Sequence, residues 1–329
     1  MKLALLFPGQ GSQYMGMCVP LIKNSLGAAR IFDRASAALG FDLAEMIANA
    51  PMKVLTKSEN AQPAVVAASY TLFEAFIQET GVCPSYLIGH SLGEISALAC
   101  SGSISFEDSI TFARERGRLM QQALVDNMGF AGIVTDLSAE AVCRAVKRAR
   151  RSGYVAITGY NSPEQTMVAG ARKTFKSLEY EVDNAGGQLI PFKMIPMKAD
   201  APYHSHLMRY LVPEFVELID KIEFKPPDYP IWSTVTGWRI KNANELRSAL
   251  IMQITSPVLW NQVLGRIRNI GVDMIVDIGP NKIIRNLVKE NAKMPNAYAY
   301  DDERDHRAIM NAINRNSFVQ KIIKYDMAA

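Results

Sequence analysis

Residues 86–98, YLIGHSLGEISAL, join two apolar runs through a serine flanked by glycines. The central GHSLG, residues 89–93, fits the G-x-S-x-G pattern, in which a strand turns sharply into a helix and exposes the serine oxygen. Glycines remove side chains that would clash with so tight a backbone, and the helix start supplies N–H groups that stabilise negative charge. The segment predicts a strand–turn–helix unit with Ser91 as a candidate nucleophile. The alternative is that Ser91 only caps the helix.

Two further apolar runs end in a similar turn. KLALLF at 2–7 stops at a Pro-Gly pair, and MIVDIG at 274–279 leads into the helix-like IIRNLVKE. We predict buried strands for both runs and for 84–89, with a helix from about residue 92 to 100. Repeated strand–turn–helix units are typical of a parallel sheet covered by helices, so we expect an α/β protein.

The stretch from 128 to 195 follows a different order. It predicts strand, helix, strand, strand, helix and strand, in the segments FAGIVT, SAEAVCRAVKRARR, YVAITGY, TMVAG, RKTFKSLEYEVDNAG and QLIPFKM. That order is ferredoxin-like. We therefore expect a ferredoxin-like subdomain at 128–195, inserted into a larger α/β domain formed by 1–127 and 196–329.

The composition excludes several classes of protein. The chain is 49% hydrophobic and 21% charged, which suits one large core or a core with a smaller subdomain. No run reaches the ~20 apolar residues of a membrane span, and the N-terminal apolar stretch is too short for a signal peptide, so we expect a cytoplasmic protein. The four cysteines form no Cys-x-x-Cys pair, so neither disulfides nor a metal site is expected. A net charge of +4 does not indicate nucleic-acid binding.

A nucleophilic serine needs a base, and the chain has four histidines. His90 adjoins the serine and should project elsewhere. His306 lies in the mixed-charge run DDERDHR, which is interpreted as a solvated turn. His204 and His206, in DAPYHSHLM, are the candidates, and spacing alone does not choose between them.

Arg116 breaks the pattern of an amphipathic helix. SFEDSITFARERGRLMQQAL at 105–124 begins with serine and two acidic residues, which is typical of a helix start. Arg116 falls on the apolar stripe of this helix, whereas Arg118 faces water. A buried arginine is costly unless it meets a carboxylate or phosphate. Two interpretations stay open: an internal ion pair, or a fork that binds a substrate carboxylate.

Several short motifs occur in the order seen in malonyl-CoA:acyl carrier protein transacylases, which this chain resembles. They are FPGQGSQ (7–13), AQPA (61–64), GHSLGE (89–94), RG (116–117), NSP (161–163), HSHLM (204–208), SPVLW (256–260) and DIGP (277–280). STVTG at 233–237 is more similar to the acyltransferase domains of polyketide synthases. Since the chain carries no ketosynthase or carrier segment, it resembles a discrete, trans-acting acyltransferase of a polyketide synthase.

The resemblance implies an α/β-hydrolase-like domain with a ferredoxin-like insertion, and a role for several residues. Ser91 would be the nucleophile and His204 the base, since in the family two residues lie between the histidine and Leu-Met. Gln253 would orient His204 through its main-chain carbonyl. Arg116 would bind the malonyl carboxylate.

The resemblance also implies an oxyanion hole formed by the backbone amides of Gln10 and Leu92. Two positions depart from the usual family residues. Gly159 stands where the fatty-acid enzymes often have asparagine. Tyr203, before the base, stands where polyketide malonyl enzymes commonly have phenylalanine and methylmalonyl enzymes serine. An aromatic ring would crowd an α-methyl group, so Tyr203 favours malonyl.

The resemblance therefore implies transfer of a malonyl group from malonyl-CoA to the phosphopantetheine thiol of an acyl carrier protein, or of a carrier domain of a polyketide synthase, for polyketide or fatty acid synthesis. The coenzyme A thioester is then a substrate, and no permanently bound cofactor is expected. Alternatives are an acyl hydrolase that clears carrier proteins and a non-catalytic scaffold. A carboxylate clamp at Arg116 disfavours the hydrolase.

Residues 128–195 carry nine basic and six acidic side chains, so this subdomain could attract an acidic carrier protein.

Overall fold

The structure, a computed structural model, describes residues 1–195 and 200–326 of the 329-residue chain. Its strands are β1 (Leu3–Phe7), β2 (Tyr86–Gly89), β3 (Phe130–Thr135), β4 (Val155–Ser162), β5 (Gln165–Gly170), β6 (Gln188–Pro191), β7 (Ile231–Trp232), β8 (Met274–Asp277) and β9 (Asn296–Ala299).

The helices lie between these strands and after the last one. They are α1 (Val19–Asn24), α2 (Leu26–Leu39), α3 (Leu43–Asn49), α4 (Met52–Leu55), α5 (Ser58–Thr80), α6 (Gly93–Cys100), α7 (Phe106–Val125), α8 (Ala139–Ala149), α9 (Phe175–Asp183), α10 (Val212–Ile219), α11 (Ala243–Gln253), α12 (Trp260–Asn269), α13 (Ile283–Lys289) and α14 (Glu303–Asp326). Short 3₁₀ turns cover Arg150–Ser152, Arg172–Thr174, Phe192–Met194 and His206–Leu211.

A five-stranded parallel sheet forms the centre of the molecule, in the order β7-β2-β1-β8-β9. All five residues of β1 are buried, as expected of a parallel strand covered on both faces. Phe7 pairs with Gly89, and Leu6 with Asp277. The carboxyl ends of β1, β2 and β8 therefore lie side by side, and the segments after them meet at one edge, where ligands bind in open α/β sheets. The expected parallel sheet is confirmed.

A separate antiparallel sheet has the order β4-β5-β3-β6. One face packs against α8 and α9 through Phe130, Val134 and Val168. The other face, which includes Ile133 and Met167, joins the main core. Because side chains alternate along a strand, this sheet presents one face to its own helices and the other to the rest of the protein.

Strand β4 of the antiparallel sheet is hydrogen-bonded to the segment that precedes α12. Tyr160 N donates to Val258 O at 2.9 Å, and Val258 N donates to Thr158 O at 3.0 Å.

The predicted subdomain boundary at 195/196 adjoins residues 196–199, which lie outside the described residues. None of the described helices has the length and apolar character needed to cross a membrane.

The segment DDERDHR is only in part the solvated turn that the sequence predicts. Asp301 and Asp302 form a turn, the residues from Glu303 begin α14, and Asp302 accepts hydrogen bonds from the N–H groups of Arg304 and Asp305. Asp301 accepts from the Tyr14 hydroxyl and from Asn281 N, both at 2.8 Å. The acidic side chains thus connect the last helix to two distant loops, a role that local charge pattern does not reveal.

Candidate active site

Ser91 lies in the turn between β2 and α6, with φ 52° in the left-handed region. A Cβ on Gly89 would lie 2.0 Å from the Gly93 carbonyl carbon, and one on Gly93 would lie 2.1 Å from Phe7 O. The two glycines are therefore required by close backbone approach, and Ser91 itself carries the backbone strain. The turn places the Ser91 hydroxyl in a cavity at the carboxyl edge of the sheet.

His204 is the histidine that the fold brings to Ser91. Ser91 Oγ lies 2.8 Å from His204 Nε2, and His204 Nδ1 lies 2.9 Å from Gln253 O. Since a carbonyl only accepts, Nδ1 carries the hydrogen and Nε2 accepts from the serine hydroxyl. His206 is exposed, and its ring packs against Tyr154. The choice that spacing left open is thus made by the fold.

Burial and a nearby cation act on the His204 imidazole. Burial is the larger cause, followed by the charge of Arg116, and together they lower the pKa of His204 to about 3. A neutral imidazole is the form that can take a proton from a hydroxyl. His204 is therefore in the basic form at neutral pH.

Arg116 lies on the buried face of α7, with 1% of its surface exposed. Its Nη1 donates to Gln62 Oε1 at 2.7 Å, and its Nη2 donates to Gln253 Oε1 at 2.9 Å and to Ser91 Oγ at 3.3 Å. Over the described residues, its Nε has no acceptor. Its hydrogen-bonded partners are neutral, so the guanidinium charge is not taken up by a protein carboxylate in direct contact.

The loop after β1 forms another wall of the cavity. Gln10 Nε2 donates to Ser58 Oγ at 3.0 Å, and Gln10 Oε1 accepts from Gln62 Nε2 at 3.1 Å. The backbone amides of Gln10 and Leu92 donate no hydrogen bond within 1–195 and 200–326. Both belong to turns that flank Ser91, where free N–H groups can receive a developing oxyanion.

The remaining lining is largely apolar. The cavity has a volume of about 340 Å³, with Ser91, His204 and Arg116 among its lining residues. Apolar side chains come from the antiparallel sheet and from α13, namely Ile133, Met167, Ile284 and Leu287. Tyr203 also lines the cavity and is 5% exposed, and burial raises the pKa of its hydroxyl to about 12.

The His90 side chain contacts the antiparallel sheet. Its Nε2 lies 3.0 Å from Asn161 Oδ1, and its ring packs against Trp260. Burial lowers the pKa of His90. Asn161 belongs to NSP and Trp260 to SPVLW, so two motifs serve to hold the segment next to Ser91.

Known proteins are similar to this sequence over nearly its whole length. The model of the acyl transferase domain family matches residues 4–323. The malonyl CoA-acyl carrier protein transacylases of Haemophilus influenzae and Bacillus subtilis strain 168 are each 32% identical to this chain. The matches cover 88% and 96% of this chain, and 91% and 98% of those proteins. The chain belongs to the malonyl-CoA–acyl carrier protein transacylase family.

Solved structures of transacylases agree with the fold. One is a type II polyketide synthase acyl-carrier protein in complex with its malonyl-transacylase, 31% identical, with a TM-score of 0.87 over 93% of this chain and 97% of that one. The transacylase of Clostridium perfringens is 28% identical, with a TM-score of 0.90 over 98% of this chain and 100% of that one.

Two buried residues of this transacylase site were not predicted from the sequence. Gln62, in AQPA, holds Nη1 of Arg116, and Glu94, in GHSLGE, holds the side chain of Gln253. A polar residue within an apolar helical run was the available signal for both, because a buried polar group needs a partner. Identifying that partner requires the tertiary structure.

Proposed function

We propose that this chain transfers a malonyl group from malonyl-CoA to the phosphopantetheine thiol of an acyl carrier protein, through a malonyl ester of Ser91. The observation that carries the proposal is the position of Arg116: its Nη2 lies 3.3 Å from Ser91 Oγ. A buried cation beside the nucleophile suits an acyl group that ends in a carboxylate.

The first half-reaction forms the ester. Ser91 Oγ attacks the thioester carbonyl while His204 Nε2 takes the hydroxyl proton, and the main-chain oxygen of Gln253 keeps the imidazole in the required tautomer. The amides of Gln10 and Leu92 stabilise the oxyanion. The C–S bond then breaks, and the coenzyme A thiolate leaves with the proton from His204.

The second half-reaction reverses the roles of the thiol and the serine. His204 takes the proton of the carrier's phosphopantetheine thiol, and the thiolate attacks the malonyl ester. The Ser91 oxygen leaves and regains the proton from His204. No water is consumed in either half-reaction, so the energy of the thioester is kept.

An acyl hydrolase is the alternative function that the same Ser91–His204 pair could perform. Incubation with malonyl-CoA, followed by intact-mass measurement with and without carrier protein, distinguishes the two. A malonyl adduct that persists and moves to the carrier supports transfer. Rapid release of free malonate indicates hydrolysis, and no adduct at all indicates a scaffold.

Tyr203 is proposed to select malonyl over α-substituted extender units. Its buried ring lies in the cavity together with Ser91 and Arg116. An α-methyl group on a malonyl ester would need space next to these atoms. Exchange of Tyr203 for a smaller residue should therefore increase methylmalonyl loading relative to malonyl loading.

The finer architecture and the cellular setting are also proposals. The main domain is α/β-hydrolase-like, formed by 1–127 and 196–329. Residues 128–195 are a ferredoxin-like insertion, supported by the order β4-β5-β3-β6. The chain acts in the cytoplasm as an acyltransferase that serves carrier proteins of polyketide or fatty acid synthesis without a permanently bound cofactor.

The basic residues of α8 do not lie at the mouth of the cavity. Through Val142 and Val146, α8 packs on the sheet face that bears Val134, whereas the cavity is lined by Ile133 from the opposite face. The basic residues of α8 are therefore not candidates for a contact with a carrier protein at the cavity, whereas Lys193 lies between Phe192 and Ile195, which line it.

A further inference from the structure

Glu94 is a buried carboxylate with no role in the reaction described above. It belongs to the first turn of α6, three residues after Ser91, and is 6% exposed. Its Oε1 accepts from Thr234 N at 2.6 Å, and the hydroxyls of Ser233 and Thr234 lie 3.1 and 3.0 Å away. These partners belong to STVTG, so that motif serves to hold Glu94. Such hydrogen bonding offsets part of the cost of burying a carboxylate.

The other carboxylate oxygen fixes the side chain of Gln253. Gln253 Nε2 donates to Glu94 Oε2 at 2.6 Å and to Ser91 O at 3.0 Å. The amide group of Gln253 must therefore turn its NH₂ toward Glu94. Its oxygen then faces Arg116, and Oε1 accepts from Nη2 at 2.9 Å. The carboxylate thus decides which end of the amide meets the guanidinium.

The amide also separates the two charges. A carboxylate in direct contact with Arg116 would occupy the fork and compete with a substrate carboxylate. Glu94 instead lies one side chain away. Burial lowers the pKa of Arg116 to about 10, while Tyr203 and Glu94 act in the opposite direction. Arg116 thus stays protonated at neutral pH, and among the described residues no carboxylate is hydrogen-bonded to its guanidinium group.

We propose that Glu94 is a positioning residue for acyl selection, which orients the Arg116 fork toward the acyl group on Ser91 through the side-chain amide of Gln253. The inference rests on the proposed malonyl transfer and adds a residue to it. Glu94 acts on Arg116, the cation that binds the acyl carboxylate. It contacts the side chain of Gln253, whereas His204 contacts the main-chain oxygen of the same residue.

The variant E94Q tests this inference with little change of shape. The new amide would face Gln253 with an NH₂ group, so the Gln253 amide would turn and present its own NH₂ to Arg116. We expect malonyl loading of Ser91 to fall about tenfold or more, the usual effect of losing a hydrogen bond to a charged group. Acetyl loading should stay within about threefold of wild type. A merely structural role would lower both rates together.

Two further variants complete the design. S233A removes a Glu94 contact without touching Gln253, and should keep the wild-type ratio of malonyl to acetyl loading. Q253M removes the amide but keeps the main-chain contact to His204. It should lose malonyl preference as E94Q does, and E94Q in the Q253M background should change the ratio less than about twofold further.

Loading rates measured by intact mass for malonyl-CoA and acetyl-CoA, with an unfolding midpoint for each variant, decide the outcome. The inference is overturned if folded E94Q keeps the wild-type ratio, or if the two substitutions act additively. If E94Q does not fold, Q253M decides, and an unchanged ratio in Q253M overturns the inference. Failure of the proposed function is separate, because wild-type protein would then either form no malonyl adduct on Ser91 or release the malonyl group as free malonate instead of passing it to the carrier protein.

Discussion

At the scale of single residues, the site depends on side chains held in unusual states. Ser91 and His204 both have positive φ angles, 52° and 58°, which cost energy for residues with a Cβ and are typical of functional positions. His204 is neutral and Arg116 charged although both are buried. The surrounding amides and carbonyls maintain these states, and their identities could not be read from local sequence.

The low pKa of His204 predicts the pH dependence of loading. A base is active above its pKa, and that of His204 is lowered from an ordinary 6.5 to about 3. The single-turnover rate of malonyl loading should therefore show no histidine inflection between about pH 5 and pH 8. Rates can be measured by acid quench and intact mass. A fall by half near pH 6.5 would contradict the buried, neutral base.

The Arg116 side chain gives a second prediction at this scale. R116A should lower malonyl loading by the equivalent of about 2–5 kcal/mol, the usual cost of removing one member of a buried charge pair, with little effect on acetyl loading. R118A is the matched control, since Arg118 lies on the same helix but is exposed and pairs with Glu115. Competition between the two thioesters for Ser91 measures the preference. An unchanged preference in R116A would refute its role.

At the scale of elements, the predicted strands and helices were largely found, with shifted ends. FAGIVT was predicted as a strand and forms β3 with the same bounds. QLIPFKM was predicted as one strand, but β6 ends at Pro191 and a 3₁₀ turn follows. The strands β7 and β9, of two and four residues, were not predicted. Such short segments have too few alternating positions to show a pattern.

Two glycines, Gly93 in the turn between β2 and α6 and Gly265 in α12, should respond in opposite ways to substitution by alanine. The free energy of unfolding should fall at the first and rise at the second. A Cβ on Gly93 would lie 2.1 Å from Phe7 O, whereas one on Gly265, inside α12, would meet no atom within 4 Å. G93A should destabilise the protein by about 1–3 kcal/mol or more. G265A should stabilise it by about 0.5–1 kcal/mol. Urea unfolding measures both, and equal effects would contradict the close approach at Gly93.

At the scale of the whole molecule, the C-terminal segment holds parts of the chain that are far apart in sequence. Asp305 accepts from Arg285 Nη1 and from Ala299 N, both at 2.8 Å. The Arg285–Asp305 pair therefore joins α14 to α13, a wall of the cavity, and to β9 at the edge of the parallel sheet. Stability of the site thus depends partly on residues after 300.

The substitution D305A should lower the free energy of unfolding by about 1.5–3 kcal/mol, because it leaves the mostly buried Arg285 without its carboxylate. E179A removes the exposed Lys176–Glu179 pair and should cost less than about 0.5 kcal/mol. Urea unfolding gives both values. If D305A and E179A lowered the free energy of unfolding equally, the Arg285–Asp305 pair would not be a contact through which α14 stabilises the fold.

Sequence alone determined the local units: the glycine-flanked serine, the buried strands, the helix that carries Arg116 on its apolar face, and the ordered motifs that indicate the family. These follow from periodicity and backbone sterics, which act over a few residues. Tertiary structure decided which histidine meets Ser91, what surrounds Arg116, and why Glu94 is buried. Those contacts join residues that are far apart in sequence: Arg116 and Gln62 are 54 positions apart, and Ser91 with His204 and Glu94 with Gln253 are more than 100 apart, so only the folded chain brings them together.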